Sequence, residues 1–402
     1  MTPLEPRGQN GGAGLVAAAL VRHLGALAPE LDITLLTAQA SHAELASLVA
    51  PNVRRQCVIT GPTSHSLART FADRLLPPQA RVRLKRAYWS LRTAPKYGHV
   101  AEELQPDLLL CPFTVPYFWR PGVPCVSIVY DLQHLAYPGF FSPEQRLNRQ
   151  RHIEEACARS ERVVCISEYV RTTLLASVDV SAERVVTIPL AALHELDRSD
   201  TSIVDRLGLA GCDFVLYPAN FWPHKNHLAL FEALRIHRQA HPDSRLKLVC
   251  TGAPNQLMTT LETSARSLLP PDTVVFAGYV AVDALDALLD ACTAVIFPSL
   301  YEGFGMPVLE AMARGKPVLC SNVTSLPEVA GDAAVYFDPT EPLQIAAAID
   351  ALDDATRIAE LSRRGRQRAQ TMGSGQDMAA RYLALVQQVL ADRPPLTCSA
   401  SR

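Results

Sequence analysis

Several broad classes are excluded by what the chain lacks. No stretch approaches the roughly 20 consecutive apolar residues that cross a bilayer, so no membrane-spanning helix is expected. The opening segment, Met1-Thr2-Pro3-Leu4-Glu5-Pro6-Arg7, has no apolar core of the kind a secretory signal carries. The 10 cysteines form no Cys-x-x-Cys pair, and most sit in apolar runs, as Cys165 does in Val163-Val164-Cys165-Ile166. That pattern argues against a zinc ribbon or a disulfide frame. It fits buried thiols in a reducing compartment, so a cytoplasmic setting is expected. An excess of one charge is also missing. The 38 basic and 40 acidic residues leave a net charge of −2, which offers no footprint for a nucleic-acid ligand.

At 402 residues the chain exceeds the ~250–300 at which single cores stop growing, so two domains are expected. With 48% apolar residues it can fill both. Short continuous apolar runs alternate with longer helical stretches. In the first half the runs fall at 33–37, 56–59, 107–111, 125–130, 163–166 and 185–188; in the second, at 213–219, 246–251, 273–277, 294–297, 317–321 and 334–337. Runs of this kind read as strands buried on both faces of a parallel sheet, joined through βαβ crossovers. The boundary falls near 191–201, where the chain turns polar and charged. It divides the sequence into a domain over 1–195, a second over 205–372, and a C-terminal helix and tail over 373–402 that crosses back onto the first. A doubly wound domain should open on a strand, yet Gln9-Asn10-Gly11-Gly12-Ala13-Gly14 comes almost at once. The first strand is therefore expected to be absent, or the natural start to lie further upstream.

Open α/β sheets bind ligands at the carboxyl ends of their strands, so the strand-to-helix turns carry the chemistry. The strongest is Pro298-Ser299-Leu300-Tyr301-Glu302-Gly303-Phe304-Gly305-Met306-Pro307-Val308-Leu309-Glu310, directly after 294–297. Gly303 and Gly305 permit close backbone approach to a ligand. Pro307 suits a first helical turn, whose free N–H groups can hold phosphate or sugar oxygens. Glu302 and Glu310 flank the turn and can accept hydrogen bonds from diols. The bland alternative is a strand-loop-helix with surface carboxylates. The second turn, Asn220-Phe221-Trp222-Pro223-His224-Lys225-Asn226-His227, follows 213–219. Lys225 there can offset a diphosphate leaving group, or it can be a solvated lysine beside a capping cluster. Gly11 and Gly12 precede a helix at 15–27. Gly12, Gly14 and Ala17 also fit the dinucleotide pattern G-x-G-x-x-A, but without its preceding strand. In Tyr130-Asp131-Leu132-Gln133-His134, Asp131 or His134 can meet sugar hydroxyls, although a lone histidine is often structural. No Asp-x-Asp occurs. The divalent-metal site that helps many nucleotide-sugar enzymes is not visible, and Lys225 with helix N-termini must supply the positive charge.

These residues resemble family-4 retaining glycosyltransferases of the GT-B fold, most strongly over 213–339. The Glu302…Glu310 pair resembles that family's Glu, seven residues, Glu signature. Ser321-Asn322-Val323-Thr324-Ser325-Leu326-Pro327-Glu328-Val329 and Val164-Cys165-Ile166-Ser167-Glu168 continue the pattern. The resemblance implies two Rossmann-like doubly wound domains facing a central cleft, and a retaining, metal-independent transfer that needs no cofactor. It implies that Glu310 holds the donor ribose and that Glu302 lies by the donor sugar. Phe304, Gly305 and Met306 would touch sugar or diphosphate, and Lys225 the diphosphate. Gly278, Tyr279 and Val280 would lie near the base, with Gly11 and Gly12 lining the cleft from the other domain. Two positions depart from the pattern. Asn220 stands where many relatives carry Arg, and Tyr130 where many carry His, so the sugar contact is expected to pass to His134 or Tyr130.

The segment 69–98 holds eight basic residues, among them Arg81, Arg83, Lys85 and Arg86, against the single acid Asp73, with Tyr88 and Trp89 interleaved. It suits a peripheral contact with anionic lipid presenting a lipid-linked glycan acceptor, or a solvated helix face. The expected activity is a hexosyltransferase of cell-surface polysaccharide synthesis. GDP-mannose is the first-choice donor because relatives with Pro-His-Lys-Asn-His commonly use it. An NAD-dependent dehydrogenase and a non-catalytic glycan-binding protein of the same fold are the other readings.

Overall fold

The computed structural model describes residues 12–60, 97–193 and 200–392. Each of the 12 expected strands is present: β1 Ile33–Ala38, β2 Val53–Ile59, β3 Leu109–Cys111, β4 Cys125–Val129, β5 Arg162–Cys165, β6 Val185–Thr187, β7 Phe214–Pro218, β8 Lys247–Thr251, β9 Val274–Gly278, β10 Ala294–Phe297, β11 Val318–Ser321 and β12 Val335–Phe337. All strand pairs in the sheets are parallel. The helices used below are α1 Gly12–Leu27, α2 Pro143–Arg159, α3 Glu168–Ser177, α4 His227–Ala240, α5 Met306–Ala313, α6 Leu326–Ala330, α7 Pro342–Asp350, α8 Ala355–Met372 and α9 Gly375–Ala391.

The C-terminal lobe is one six-stranded sheet in the order β12-β11-β10-β7-β8-β9. Its central strands are apolar on both faces: Phe214 to Tyr217 and Ala294 to Phe297 are all buried. Chain order reverses between β7 and β10, which pair directly, Ala294 with Val215. A crevice opens outside the carboxyl ends of two strands that diverge in this way. The segments leaving β7 and β10 are 219–227 and 298–306, the two turns carrying Lys225 and Glu302. The fold therefore brings together motifs about 75 residues apart in sequence.

The N-terminal lobe is less regular. β3-β4-β5-β6 form one sheet, whereas β1 and β2 pair only with each other. A small core of Leu36, Ile59, Val100, Leu109 and Phe118 joins the two pieces. The described residues begin at α1, so the expected absence of a strand before it lies outside them. Helix starts follow local chemistry. Ser142 and Gln145 cap α2 reciprocally, with Pro143 at its first position, and Ser374 with Asp377 does the same for α9. α9 lies against α1, buries Tyr382 and pairs Asp392 with Arg162 at 3.2 Å.

Candidate active site

The C-terminal side of the cleft is held by backbone-directed side chains. Asn226 adopts φ 58° and ψ 35° as it opens α4. Its amide donates to the Pro298 carbonyl at 3.2 Å and the Pro339 carbonyl at 2.7 Å, fastening the loop after β7 to the ends of β10 and β12. The buried Tyr217 hydroxyl donates to the Lys225 carbonyl at 2.5 Å, and the Leu300 N–H donates to the His224 carbonyl at 2.8 Å. With both loops fixed, Lys225 Nζ lies 2.6 Å from Glu302 Oε1, with side chains only 14% and 12% exposed. The ammonium also sits 5.1 Å from the Phe297 ring centroid.

Glu302 is positioned in turn by α6 and the residues before it. Its N–H donates to Thr324 Oγ1 at 3.1 Å. Ser325 Oγ lies 3.0 Å from the carbonyls of both Glu302 and Phe304. Gly305, at φ 100°, opens α5, and a Cβ there would meet the Leu326 side chain. Glu310, one turn inside α5, is 5% exposed. At the neighbouring edge strand, Gly278 ends β9 at φ 66°, Tyr279 is exposed and Val280 is half-buried.

The N-terminal lobe meets this loop closely. A Cβ on Gly303 would overlap the Tyr130 carbonyl oxygen and stand 3.5 Å from Asp131 Cβ. The freedom of Gly303 thus serves contact between lobes, where close approach to a ligand was expected of it. Tyr301 inserts between Tyr137 and Tyr169, at centroid distances of 6.4 and 5.9 Å, and its hydroxyl accepts from the Leu132 N–H at 3.1 Å. Ser167 Oγ donates to the Gly303 carbonyl at 2.7 Å. Glu328 accepts from the Glu168 and Tyr169 N–H groups at 2.7 and 2.9 Å, a carboxylate from one lobe placed on the positive end of α3 in the other. Gly12 faces the Met306 side chain at 3.3 Å from its Cβ position.

The remaining predicted residues are placed as follows. Asp131 follows β4 and accepts from the Gln133 N–H and Arg149 Nη1, each at 3.0 Å. His134 is 3% exposed, with Nε2 3.0 Å from Gln150 Oε1. Burial holds its ring below the ordinary imidazole value. The Tyr130 hydroxyl is buried, and desolvation raises its pKa. The Tyr130 hydroxyl and His134 Nδ1 are both buried without a hydrogen-bond partner among the described residues. Asn220 Oδ1 accepts from the Ala253 N–H at 2.8 Å and so joins the loops after β7 and β8. Gly11 and residues 69–96 lie outside the described residues, so the donor role of Gly11 and the basic membrane segment are not described.

One cation was missed. Arg149 projects from α2, pairs with Asp131 and lies 4.7 Å over the Phe141 ring. Its charge reaches across to His224: burial first, then Lys225, then Arg149 push that ring down to about 2. No sequence signal marks it, since α2 carries several arginines. Glu328, Thr324 and Ser325 lie within the quoted motif, but their capping and bracing roles are visible only in three dimensions.

Two parallel-sheet lobes meeting over charged residues at a topological switch point place the chain in the two-lobed α/β class of folds. The comparisons make this specific. The family model for group 1 glycosyl transferases matches residues 206–372, and that for glycosyltransferase family 4 matches residues 10–192. The chain belongs to the group 1, family-4 glycosyltransferases, and its fold is GT-B. It is 29% identical over 232 residues to O-antigen chain mannosyltransferase B of Escherichia coli, covering 56% of this chain and 60% of that protein. It is 32% identical over 257 residues to the serotype-specific mannosyltransferase WbdA of Escherichia coli, covering 60% of this chain and 30% of that one. The match thus spans less than two thirds of either relative. Among solved structures, Anabaena Alr3699/HepE in complex with UDP and glucose superposes with a TM-score of 0.70 at 18% identity, covering 95% of this chain and 97% of that one.

Two outcomes follow from this geometry. Gly303→Ala must separate the lobes, so small-angle scattering should show a larger radius of gyration than wild type; an unchanged curve would contradict the contact. His227, buried among Tyr217, Phe221 and Phe231, is pushed down to about 3 by burial and then by Lys225. Its unfolded value is about 6.5, so unfolding takes up a proton in mild acid. The associated stability is complete above that value and is lost as pH falls toward the folded one, at up to about 1.4 kcal/mol per pH unit. His227→Phe should flatten the fall in urea midpoint between about pH 7 and about pH 5; equal slopes would refute this.

Proposed function

We propose that the chain is a retaining hexosyltransferase that moves a mannosyl group from GDP-mannose to a glycan or lipid-linked glycan acceptor in cell-surface polysaccharide synthesis. The reading sets this at the cytoplasmic side of the membrane. The observation that carries it is the Lys225–Glu302 pair at the switch point, 2.6 Å apart, with Glu310 buried one turn inside α5. In the reaction the C1–O bond to the diphosphate breaks, and an acceptor hydroxyl bonds to C1 from the same face. Its proton passes to the departing phosphate, so charge and atoms balance. Lys225 offsets the charge that develops on the leaving group. Glu310 grips the ribose hydroxyls, Glu302 lies beside the sugar, and Gly278 to Val280 border the base. The N–H groups at Phe304, Gly305 and Met306 approach the diphosphate. Asn220 carries no charge, and Arg149 supplies the second cation from the opposite lobe, with Asp131 as its positioning residue. Lobe contact through Tyr301 and Gly303 keeps water from the donor. The chemistry asks for no cofactor and no catalytic metal.

The mannosyl choice is supported by the relatives' names, O-antigen chain mannosyltransferase B and WbdA. Family membership sets the dehydrogenase reading aside. Among the described residues no helix is long and apolar enough to cross a membrane.

A thermal-shift panel of nucleotide-sugars tests the donor. GDP-mannose should stabilise the chain more than UDP-hexoses or dTDP-rhamnose, and stabilisation by UDP-sugars alone would overturn that choice. Lys225→Ala should lower kcat about 10²–10³-fold, the usual cost of losing one donor to a developing anion. Full activity in this variant would remove the lysine from the mechanism. Arg149→Ala should weaken GDP binding by roughly 10-fold, as expected for a lost charge-assisted hydrogen bond of about 1.5–3 kcal/mol. Unchanged binding by calorimetry would reject its role.

A further inference from the structure

The far end of α4 carries a second constellation. His237 and His241 stand one helical turn apart, and Asp350 closes α7. His237 Nδ1 lies 2.6 Å and His241 Nε2 3.4 Å from the same oxygen, Asp350 Oδ1. The three ligand atoms all fall within 4.8 Å of one another. The two rings lean together, with centroids 4.8 Å apart and planes 30° apart. The other nitrogen of His237, Nε2, is 3.0 Å from Ser244 Oγ.

Two features favour a cation at this point. When the proton of His237 sits on Nε2 and is directed at Ser244, Nδ1 is left as an acceptor facing the point it shares with His241 Nε2 and Asp350 Oδ1, as ligation requires. An imidazole whose second N–H is fixed by an outer partner is the usual arrangement of a metal-bound histidine. The carboxyl ends of α4 and α7 meet here as well, adding the negative ends of two helix dipoles. Two imidazoles and one carboxylate are a borderline donor set that suits zinc-like ions, with water in the fourth place. Calcium and magnesium would call for more oxygen ligands.

We propose that His237, His241 and Asp350 form a structural site for a divalent transition-metal ion of the zinc class, fastening the end of α4 to α7. His227 lies at the other end of α4, about 15 Å along the helix axis at 1.5 Å per residue. The ion is therefore remote from the cleft. It takes no part in the proposed transfer, and the site stands whether or not that reading does. Its effect on the cleft is to anchor the helix that begins beside Lys225.

The test uses the whole chain, stripped with chelator and returned to metal-free buffer. Zn²⁺ is added by calorimetric titration, and Co²⁺ is added while the visible spectrum is recorded. One ion should bind per chain. Co²⁺ should give the strong visible band of a four-coordinate site, and saturating Zn²⁺ should raise the melting midpoint by about 5 °C. His241→Ala removes the half-exposed ligand, so it should melt with wild type in chelator yet bind Zn²⁺ at least about 10-fold more weakly. Asp350→Asn should lose the Co²⁺ band. Absence of stoichiometric binding by wild type, or equal binding and an equal band in His241→Ala, would overturn the proposal.

Discussion

An ammonium and a carboxylate 2.6 Å apart, largely out of water at the point where chain order reverses, constrain much of the rest of the molecule. Withdrawing two opposite charges from solvent is expensive, and the attraction between them offsets that expense only where geometry is held tightly. Around Lys225 and Glu302 nearly every polar contact serves that purpose. Asn226, Tyr217 and Ser325 each donate a hydrogen bond to a backbone carbonyl on one of the two loops, and Thr324 accepts one from the Glu302 N–H. Losing one partner from such a pair typically costs about 3–5 kcal/mol. In the proposed transfer the same property would serve the leaving group, which would meet a lysine already desolvated and held in place.

The second constraint is the approach of the lobes. Gly303 has no room for a side chain against Tyr130, Tyr301 sits between two aromatic rings of the other lobe, and Glu328 caps α3 from across the gap. Most of these contacts come from one short stretch, 298–306, which also holds Glu302. Any change in how the lobes meet is therefore felt directly by the carboxylate beside Lys225. Arg149 and Asp131 enter the same space from α2 and the end of β4. The crevice thus gathers two cations and two anions from both halves of the chain.

Much of this was legible in the sequence. The strands were readable because a parallel strand covered on both faces must be an unbroken apolar run, as Val163-Val164-Cys165 and Val295-Ile296-Phe297 are. The loop after β10 was readable because glycine, proline and carboxylate coincide directly after such a run, and the loop after β7 because Pro223 and Lys225 do. Strand order was not legible from local pattern, since the adjacency of β7 and β10 depends on pairings between residues some 80 positions apart. Arg149 escaped because one arginine on a polar helix looks like any other until its neighbours are known. For His134 and Tyr130 the chemistry was legible but the burial was not: both lie just past β4, and His134 Nδ1 and the Tyr130 hydroxyl are shielded from water. The separation of β1 and β2 from the remaining strands was likewise not apparent in their composition.

The most direct measurement is a crystal structure of the chain with GDP bound. The account predicts that the terminal phosphate lies within hydrogen-bonding distance of Lys225 Nζ, with the ribose hydroxyls on Glu310. A nucleotide bound elsewhere, with Lys225 still closed on Glu302 and no phosphate beside it, would contradict it.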